Sequence, residues 1–361
     1  MLCLLVTSIH VLLGGCCPSR VPDKFGRDAT TEGSDLGWVD DVIYQHSLDH
    51  SPRPTTPTTG TCSLVSSLHF LTTHFYVRPS QYNMSSALFD MTGYHCLITG
   101  AGSGIGAMIA ETYHAQGATI YLVGRRVEKL QETKSAILAD NSTGKGDIII
   151  LDGDVSTRQG IESLVSSYEK HTSHMDVLVS NAGVLKWEGK PWKETLNADE
   201  MKEHFLSSSV EDWTQTNTIN VTAMWHLSGA FLPHLSRSQH GGSILITSSI
   251  SGLHWSATTG VASYAASKAA VNHLTKLMAN KLRGLYIRVN AIAPGIFPSD
   301  MNSEAIMKKH KENGTIDRIP AKTFGDRKHM GSAAVLFATN TYVDGQVLAV
   351  DGGRSLTANG S

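Results

Sequence analysis

A single doubly wound parallel α/β sheet, with helices on both faces, is the fold this sequence predicts, and three observations predict it. From residue 94 onward, short apolar runs alternate with amphipathic stretches of helical period, the order that crossover-connected parallel strands require. A glycine-rich turn, Thr99-Gly100-Ala101-Gly102-Ser103-Gly104-Ile105-Gly106, separates the first apolar run from the first helical stretch. The remaining polar and glycine signals fall at the carboxyl ends of the predicted strands, where such sheets bind ligands.

Taken in order, Cys96-Leu97-Ile98 marks a buried first strand over 95–99. After the turn, Ile105, Met108, Ile109 and Tyr113 recur on one face of a helix over 104–116, which Gly117 ends. Ala118 to Val123 is the second strand, so the opening unit reads strand, glycine turn, helix, strand. Glycines let the backbone approach a pyrophosphate, and the helix N-terminus offers unpaired N–H groups to it. The spacing is T-G-x-x-x-G-x-G; Ile105 stands where a strict G-x-G-x-x-G would place its last glycine. Further strands are predicted at 147–151, 176–180, 243–248, 287–292 and 347–350. Further helices are predicted at 126–139, 157–171, 210–234, 262–283, 299–312 and 328–338.

The helix over 262–283 carries Tyr264-Ala265-Ala266-Ser267-Lys268. Residues four apart share a helix face, so the phenol and the ammonium lie together. A free phenol titrates near about 10, too high for efficient proton transfer at neutral pH. A neighbouring cation favours the phenolate and is expected to lower that value.

With the glycine turn and the Tyr–Lys pair in hand, the chain resembles the short-chain dehydrogenase/reductase family from about Leu88 to Gly353. Supporting segments are Asp154-Val155, Ser180-Asn181-Ala182-Gly183, Asn220, Ile246-Thr247-Ser248-Ser249, Arg288 to Gly295, Val343 to Gln346 and Asp351-Gly352-Gly353. The chain is most similar to 3-oxoacyl-(acyl carrier protein) reductase-like enzymes, including rhamnolipid-type reductases and their fungal relatives. The resemblance implies one Rossmann-type domain over 84–361 and reduction of a ketone to a secondary alcohol, or the reverse, in secondary or fatty-acid-like metabolism. Tyr264 would exchange a proton with the carbonyl oxygen as hydride moves to or from a nicotinamide. Lys268 would tune the phenol and hold the nicotinamide ribose, and Ser249 would steady the developing alkoxide. Asn220 would sit at a helix distortion and hold a water linking Lys268 to solvent. Ser249 is preferred over Thr247, Ser248 and Ser251 because the family's serine precedes two residues and a glycine, here Gly252.

The cofactor is expected to lie against Gly100, Ser103, Gly104, Ile105, Gly106, Asp154, Val155, Asn181, Ala182, Gly183, Tyr264, Lys268, Pro294, Gly295, Phe297 and Ser299. Enzymes that use NAD usually carry a carboxylate at the end of the second strand, about 20 residues past the glycine turn. Here Gly124 is followed by Arg125 and Arg126, and guanidinium groups suit a 2′-phosphate. NADP(H) is the expected cofactor; a pair of solvated arginines at a strand end is the plain alternative. Two other functions stay open: an NAD-dependent alcohol dehydrogenase, and a non-catalytic nucleotide-binding relative.

Four departures from the family pattern stand out. Ser180 replaces an asparagine, and the Ser249–Tyr264 interval is about two residues long. The Asn181–Asn220 interval is about ten long, with Trp187, Trp192 and Trp213 in or near the excess, facing either substrate or the surface. The segment 338–342 is about two residues short and is the expected point of instability.

Composition narrows the remaining classes. The chain has 361 residues and a formal net charge of −2, and its interspersed charges point to neither nucleic acid nor an anionic membrane. Five cysteines, four of them before residue 63, do not make a disulfide framework. The seventeen histidines show no metal-ligand spacing, and no metal is expected. Residues 1–83 hold six of the eleven prolines and no sustained periodicity, and they read as a disordered leader or gene-model extension. The apolar start Met1–Leu13 is too short to span a bilayer and lacks a basic lead-in. A cytoplasmic location is expected, with targeting by that apolar start as the alternative. The partners expected are a small ketone or alcohol and further copies of the chain, as homodimer or homotetramer, because the 262–283 helix carries more apolar surface than one sheet face covers.

Overall fold

A computed structural model describes residues 88–140, 146–186, 197–255 and 261–358. The chain divides into two units, Met1–Phe75 and Tyr76–Ser361, and every described residue belongs to the second. The predicted leader, Trp187 and Trp192 lie outside the described residues.

Seven strands form one parallel sheet: β1 (His95–Thr99), β2 (Thr119–Gly124), β3 (Ile148–Asp152), β4 (Val177–Ser180), β5 (Ser243–Thr247), β6 (Arg288–Pro294) and β7 (Val347–Val350). Their order is β3-β2-β1-β4-β5-β6-β7, so the chain winds outward in both directions from β1. Register places Cys96 between Ile120 and Val177. Because side chains alternate across a strand, Cys96, Ile98, Ile120, Leu122, Val177 and Val179 face one way, onto a first core. Leu97, Tyr121, Leu178, Ile244, Ile246 and Val289 face the other, onto a second.

The first core is closed by α1 (Gly104–Ala115), α2 (Val127–Ala139) and α9 (Arg327–Thr339), through Ile109, Tyr113, Leu130, Ile137, Met330 and Phe337. The second is closed by α3 (Arg158–Tyr168), α6 (Ala223–Leu235) and α7 (Ala262–Leu282), through Leu164, Tyr168, Leu227, Phe231, Val271 and Met278. Strands buried on both faces read as near-continuous apolar runs, which is why their positions were predictable to within a residue or two.

The helices depart from expectation in informative places. The single helix expected over 210–234 is α5 (Val210–Asn217), a π-helical stretch at Thr218–Thr222, and then α6. An additional helix, α4 (Ala198–Leu206), precedes it, opened by a capping box in which Asn197 and Glu200 each bond the other's backbone N–H. Its sequence signal was short and its side chains are not buried, so periodicity missed it. The helix expected from 299 starts only at Glu304, as α8 (Glu304–Glu312). Residues 299–302 form a turn instead, with Asn302 N donating to Ser299 Oγ at 3.1 Å. A short C-terminal helix, α10 (Arg354–Ala358), was not predicted.

The shortened segment 338–342 is tied down. Arg288 donates to Phe337 O at 2.8 Å, to Ala338 O at 2.9 Å and to Val343 O at 3.3 Å. Asn290 Nδ2 reaches Val343 O at 2.9 Å. These bonds anchor both ends of the short connection, where weakness was expected. Among the described residues, no helix is long and apolar enough to cross a membrane.

Candidate active site

A cleft runs along the carboxyl ends of the strands, from the glycine turn after β1 to the start of α7. At its head the turn folds tightly under α1. A Cβ on Gly106 would stand 2.4 Å from Gly100 O and 2.6 Å from Asn181 Nδ2, so only glycine closes the turn onto the sheet. Ser103 precedes α1 without capping it through its side chain. The helix therefore presents its first N–H groups and its positive dipole end at this turn, as an anion site requires. Asn181 braces the turn from β4: its Nδ2 donates to Thr99 O at 3.0 Å and Gly100 O at 3.2 Å, and its Oδ1 accepts from Thr247 at 3.0 Å. The turn is pre-shaped for a phosphate-bearing ligand.

At the other end of the cleft, Tyr264 and Lys268 occupy the first turns of α7. Lys268 is 4% exposed; its Nζ donates to Thr247 O at 2.8 Å and lies 5.6 Å from the centre of the Tyr264 ring. Burial pulls the ammonium down to about 8. Burial also raises the Tyr264 phenol, while a hydrogen bond with Ser249 acts in the lowering direction. The expectation that Lys268 lowers the phenol is therefore corrected. In this fold desolvation is the largest influence on the phenol, and the ammonium's bonded partner is the Thr247 carbonyl.

Geometry separates the adjacent hydroxyls after β5. Thr247 bonds Asn181, and Ser248 bonds the Asn272 side chain and Lys268 O on α7. Ser249 is the one hydrogen-bonded to the Tyr264 phenol, and its Oγ also accepts from Ser251 N at 3.1 Å. The spacer and glycine after it have a steric reason. A Cβ on Gly252 would meet the Lys268 carbonyl carbon at 2.5 Å, so this turn can lie flat on α7 only without one.

Asn220 sits in the π-helical stretch, matching the expected distortion, and is buried. Its Oδ1 accepts from Val184 N at 2.8 Å, and its Nδ2 donates to Val184 O at 3.0 Å and Ser267 Oγ at 3.0 Å. Ser267 Oγ in turn donates to Tyr264 O at 2.7 Å. The amide thus clamps the segment after β4, at Val184, to the Tyr264 turn of α7.

At the end of β2, Gly124 and Arg125 line the cleft, with Asp154 and Val155 beside them. Asp154 accepts from Ser156 N at 2.9 Å, and its hydrogen bonds with Ser156 hold its carboxyl below the usual range. Arg126 is otherwise engaged: its guanidinium donates to Asp300 at 2.7 Å across the cleft mouth. Asp300 is held below its ordinary value first by Arg126 and, less strongly, by a hydrogen bond with Ser103.

Of the predicted site residues, Gly106 and Asn220 stand behind the cleft wall, and the other predicted residues line the cleft. Sequence reading missed Asp300, Thr247, Ser267 and Thr99. Ser267 was visible as the hydroxyl inside the Tyr264–Lys268 interval. Thr99 lay in the glycine-turn motif itself and turns out to accept from Asn181 N and Ala182 N at 3.0 and 3.1 Å. Asp300 had no local signal, since its partner is 174 residues away. Among the described residues, no group of three or more His, Cys, Asp or Glu could hold a metal ion.

Fold and cleft together define an α/β protein with a Tyr–Lys pair at one end of a glycine-turn cleft. The family described as short chain dehydrogenase matches residues 94–310, and the chain belongs to this family of oxidoreductases. It is 31% identical over 283 residues to the short-chain dehydrogenase/reductase PhomF of Diaporthe leptostromiformis, covering 75% of this chain and 94% of the relative. It is 33% identical over 265 residues to the 3-oxoacyl-(acyl-carrier-protein) reductase FabG of Thermotoga maritima, covering 73% and 98%. Among solved structures, the Pseudomonas aeruginosa RhlG/NADP active-site complex superposes with a TM-score of 0.65 at 27% identity, covering 74% and 98%. A Beutenbergia cavernae structure described as a gluconate 5-dehydrogenase with bound NADP gives 0.59 at 30% identity, covering 74% and 98%.

Proposed function

We propose that this chain reduces a ketone to a secondary alcohol using NADPH. The observation that carries the proposal is the Ser249–Tyr264–Lys268 group, with Ser249 and Lys268 buried and Tyr264 facing the cleft, at one end of a cleft whose other end is shaped for phosphate. When bound, the cofactor supplies hydride. Gly100 to Gly106 and the α1 N-terminus would hold its phosphates, Asp154 and Asn181 to Gly183 its adenosine side, and Pro294, Gly295, Phe297 and Ser299 its nicotinamide side. Tyr264 gives its proton to the carbonyl oxygen, and Ser249 donates a hydrogen bond to the same oxygen and stabilises its developing charge. Lys268 keeps a positive charge beside the phenolate that remains. Asn220 holds the α7 turn in place and, at the π-helical stretch, positions a water that returns a proton through Lys268.

A phenol raised by burial is protonated at neutral pH, the form needed to donate. Oxidation of an alcohol needs the phenolate, so it would be favoured only at higher pH.

Support for NADPH comes from Gly124, which leaves no carboxylate at the end of β2, and from Arg125, which among the described residues has no ion-pair partner within 4 Å. The NADP reported in the RhlG complex agrees with this reading. Use of NADH is the second reading, and the Arg126–Asp300 pair favours it by withdrawing one guanidinium. A homo-oligomer is also proposed, on less surface than the sequence suggested: Val271 and Met278 are buried against the chain's own sheet, and Leu277 remains 37% exposed. The test is consumption of NADPH and NADH with a panel of β-ketoesters, cyclic ketones and long-chain ketones. No turnover with any ketone and either cofactor would sink the reductase reading, and equal affinity for both cofactors would sink the NADPH assignment.

A further inference from the structure

The cleft rim at the end of β2 carries three cations, Arg125, Arg126 and Lys129, all of which line the cleft. Lys129 Nζ is paired at 2.7 Å with Glu132, one turn along the same helix. Arg126, the residue that opens α2, is paired from the other side. Its guanidinium donates at 2.7 Å to Asp300, which also lines the cleft and stands 174 residues later in the chain. A carboxylate on the far wall therefore holds a cation on the near one.

Asp300 is firmly placed. Ser299 N donates to Asn302 O at 3.3 Å and Asn302 N to Ser299 Oγ at 3.1 Å, which closes the turn that carries it. Asn302 Nδ2 ties that turn to Phe297 O at 3.0 Å, and Phe297 is buried. The turn also rests on the start of α1, because a Cβ on Gly104 would stand 2.7 Å from Ser299 Cβ. The Asp300 backbone is thus fixed beside the glycine turn, with its carboxylate directed at Arg126.

An ion pair this exposed, at 59% and 57% of the two side chains, adds little to fold stability. Its consequence lies in what enters the cleft. The end of the second strand is where a dinucleotide's adenosine ribose is met. A guanidinium there binds phosphate and carboxylate through the same planar fork, and Asp300 already offers it the carboxylate. Resting on the NADPH reading, we propose that Asp300 is a specificity-determining residue that competes with the cofactor's 2′-phosphate for Arg126 and so weakens the preference for NADPH. NADH brings no anion to this point, so its binding is indifferent to Asp300.

Calorimetry of NADPH, NADH and 2′,5′-ADP on wild-type protein, Asp300→Asn, Arg126→Gln and the double variant tests this without turnover. Asp300→Asn changes an exposed side chain to its isostere. It should bind NADPH and 2′,5′-ADP about tenfold more tightly, the scale of one charge-assisted bond, with NADH within about twofold of wild type. In the Arg126→Gln background the same substitution should gain clearly less, because the cation competed for is gone. An NADPH affinity unchanged or weakened in Asp300→Asn overturns the proposal. So does an equal gain for NADPH and NADH, or a gain as large without Arg126 as with it. The cofactor assignment fails separately. If wild-type protein binds NADH as tightly as NADPH while Asp300→Asn prefers NADPH, the NADPH reading falls and the role of Asp300 stands. If wild-type protein prefers NADPH and Asp300→Asn leaves that preference unchanged, the NADPH reading stands and the competition falls.

Discussion

Both ends of the sheet bury polar groups, and they use them differently. At the amino end, Asp176 is fully buried just before β4. Its carboxylate accepts from His95 N at 2.8 Å and Ser238 Oγ at 2.6 Å, and lies 3.2 Å from His240 Nδ1. His95 Nδ1 meets the Tyr121 hydroxyl at 2.9 Å, and the His240 ring stacks on Tyr94 at 4.0 Å. The carboxylate ties together the starts of β1, β4 and β5. At the carboxyl end, Lys268 has three donors and gives one to Thr247 O, while Tyr264 and Ser249 share a bond at the cleft wall. The two clusters are similarly buried. What distinguishes the candidate active site is residual bonding capacity aimed at open space, whereas the amino-end network is closed on itself and structural.

The strongest way to break this comparison is Tyr264→Phe. It removes one hydroxyl from the open cluster, so turnover should fall by about a thousandfold or more, roughly 4 kcal/mol, with cofactor affinity and urea midpoint nearly unchanged. Retention of more than a few per cent of activity would refute the proton-donor role.

Asp176→Ala should do the converse. It strands the His95 N–H and the Ser238 hydroxyl in a dry site, for a loss of about 3–4 kcal/mol in urea unfolding, while kcat per folded molecule stays within about twofold. A proportionate loss of kcat would mean the two ends are not separable.

Lys268 sharpens the contrast through pH. Its folded value is about 8 against a reference of 10.5, so between these the unfolded chain holds a proton that the folded chain has released. Stability from this group therefore rises as pH climbs from about 8 to 10.5, by about 3 kcal/mol in all at 1.36 kcal/mol per unit. The rate of reduction should move oppositely, falling through pH 8 as the ammonium is lost. Unfolding curves of wild type and Lys268→Met, together with a kcat/KM profile, measure both; parallel movement of stability and rate would refute the assignment.

The smallest effect concerns the rim. Gly124→Asp combined with Arg125→Leu should shift preference from NADPH towards NADH by about 2–3 kcal/mol, read as a ratio of dissociation constants. An unchanged ratio would move cofactor selection to Arg126 and its Asp300 partner.

How much was legible follows from the range of each interaction. The strand at 95–99 matches its predicted span, because strands buried on both faces write themselves as apolar runs; the edge strand at 347–350 also matches, though it is only partly buried. The long helix after 210 was legible as helix, but its π-helical stretch at Thr218–Thr222 was expected only through family resemblance, since no residue type there announces it. Helix α4 was hidden because its side chains bury nothing, leaving only the Asn197–Glu200 cap as a signal. The anchoring of segment 338–342 was hidden for a related reason: what ties it down is Arg288, about 50 residues upstream.

By itself the sequence determined the parallel α/β class, the glycine turn and the pairing of Tyr264 with Lys268, since a glycine's missing Cβ and the four-residue helix repeat act within one or two turns of chain. Only the tertiary structure decided which of the hydroxyls from Thr247 to Ser251 meets the Tyr264 phenol, that Asn220 clamps Val184, and that Asp300 reaches Arg126. Each of those contacts joins elements far apart in sequence. They depend on strand order, register and the burial that reverses the expected shift of Tyr264, none of which a local pattern carries.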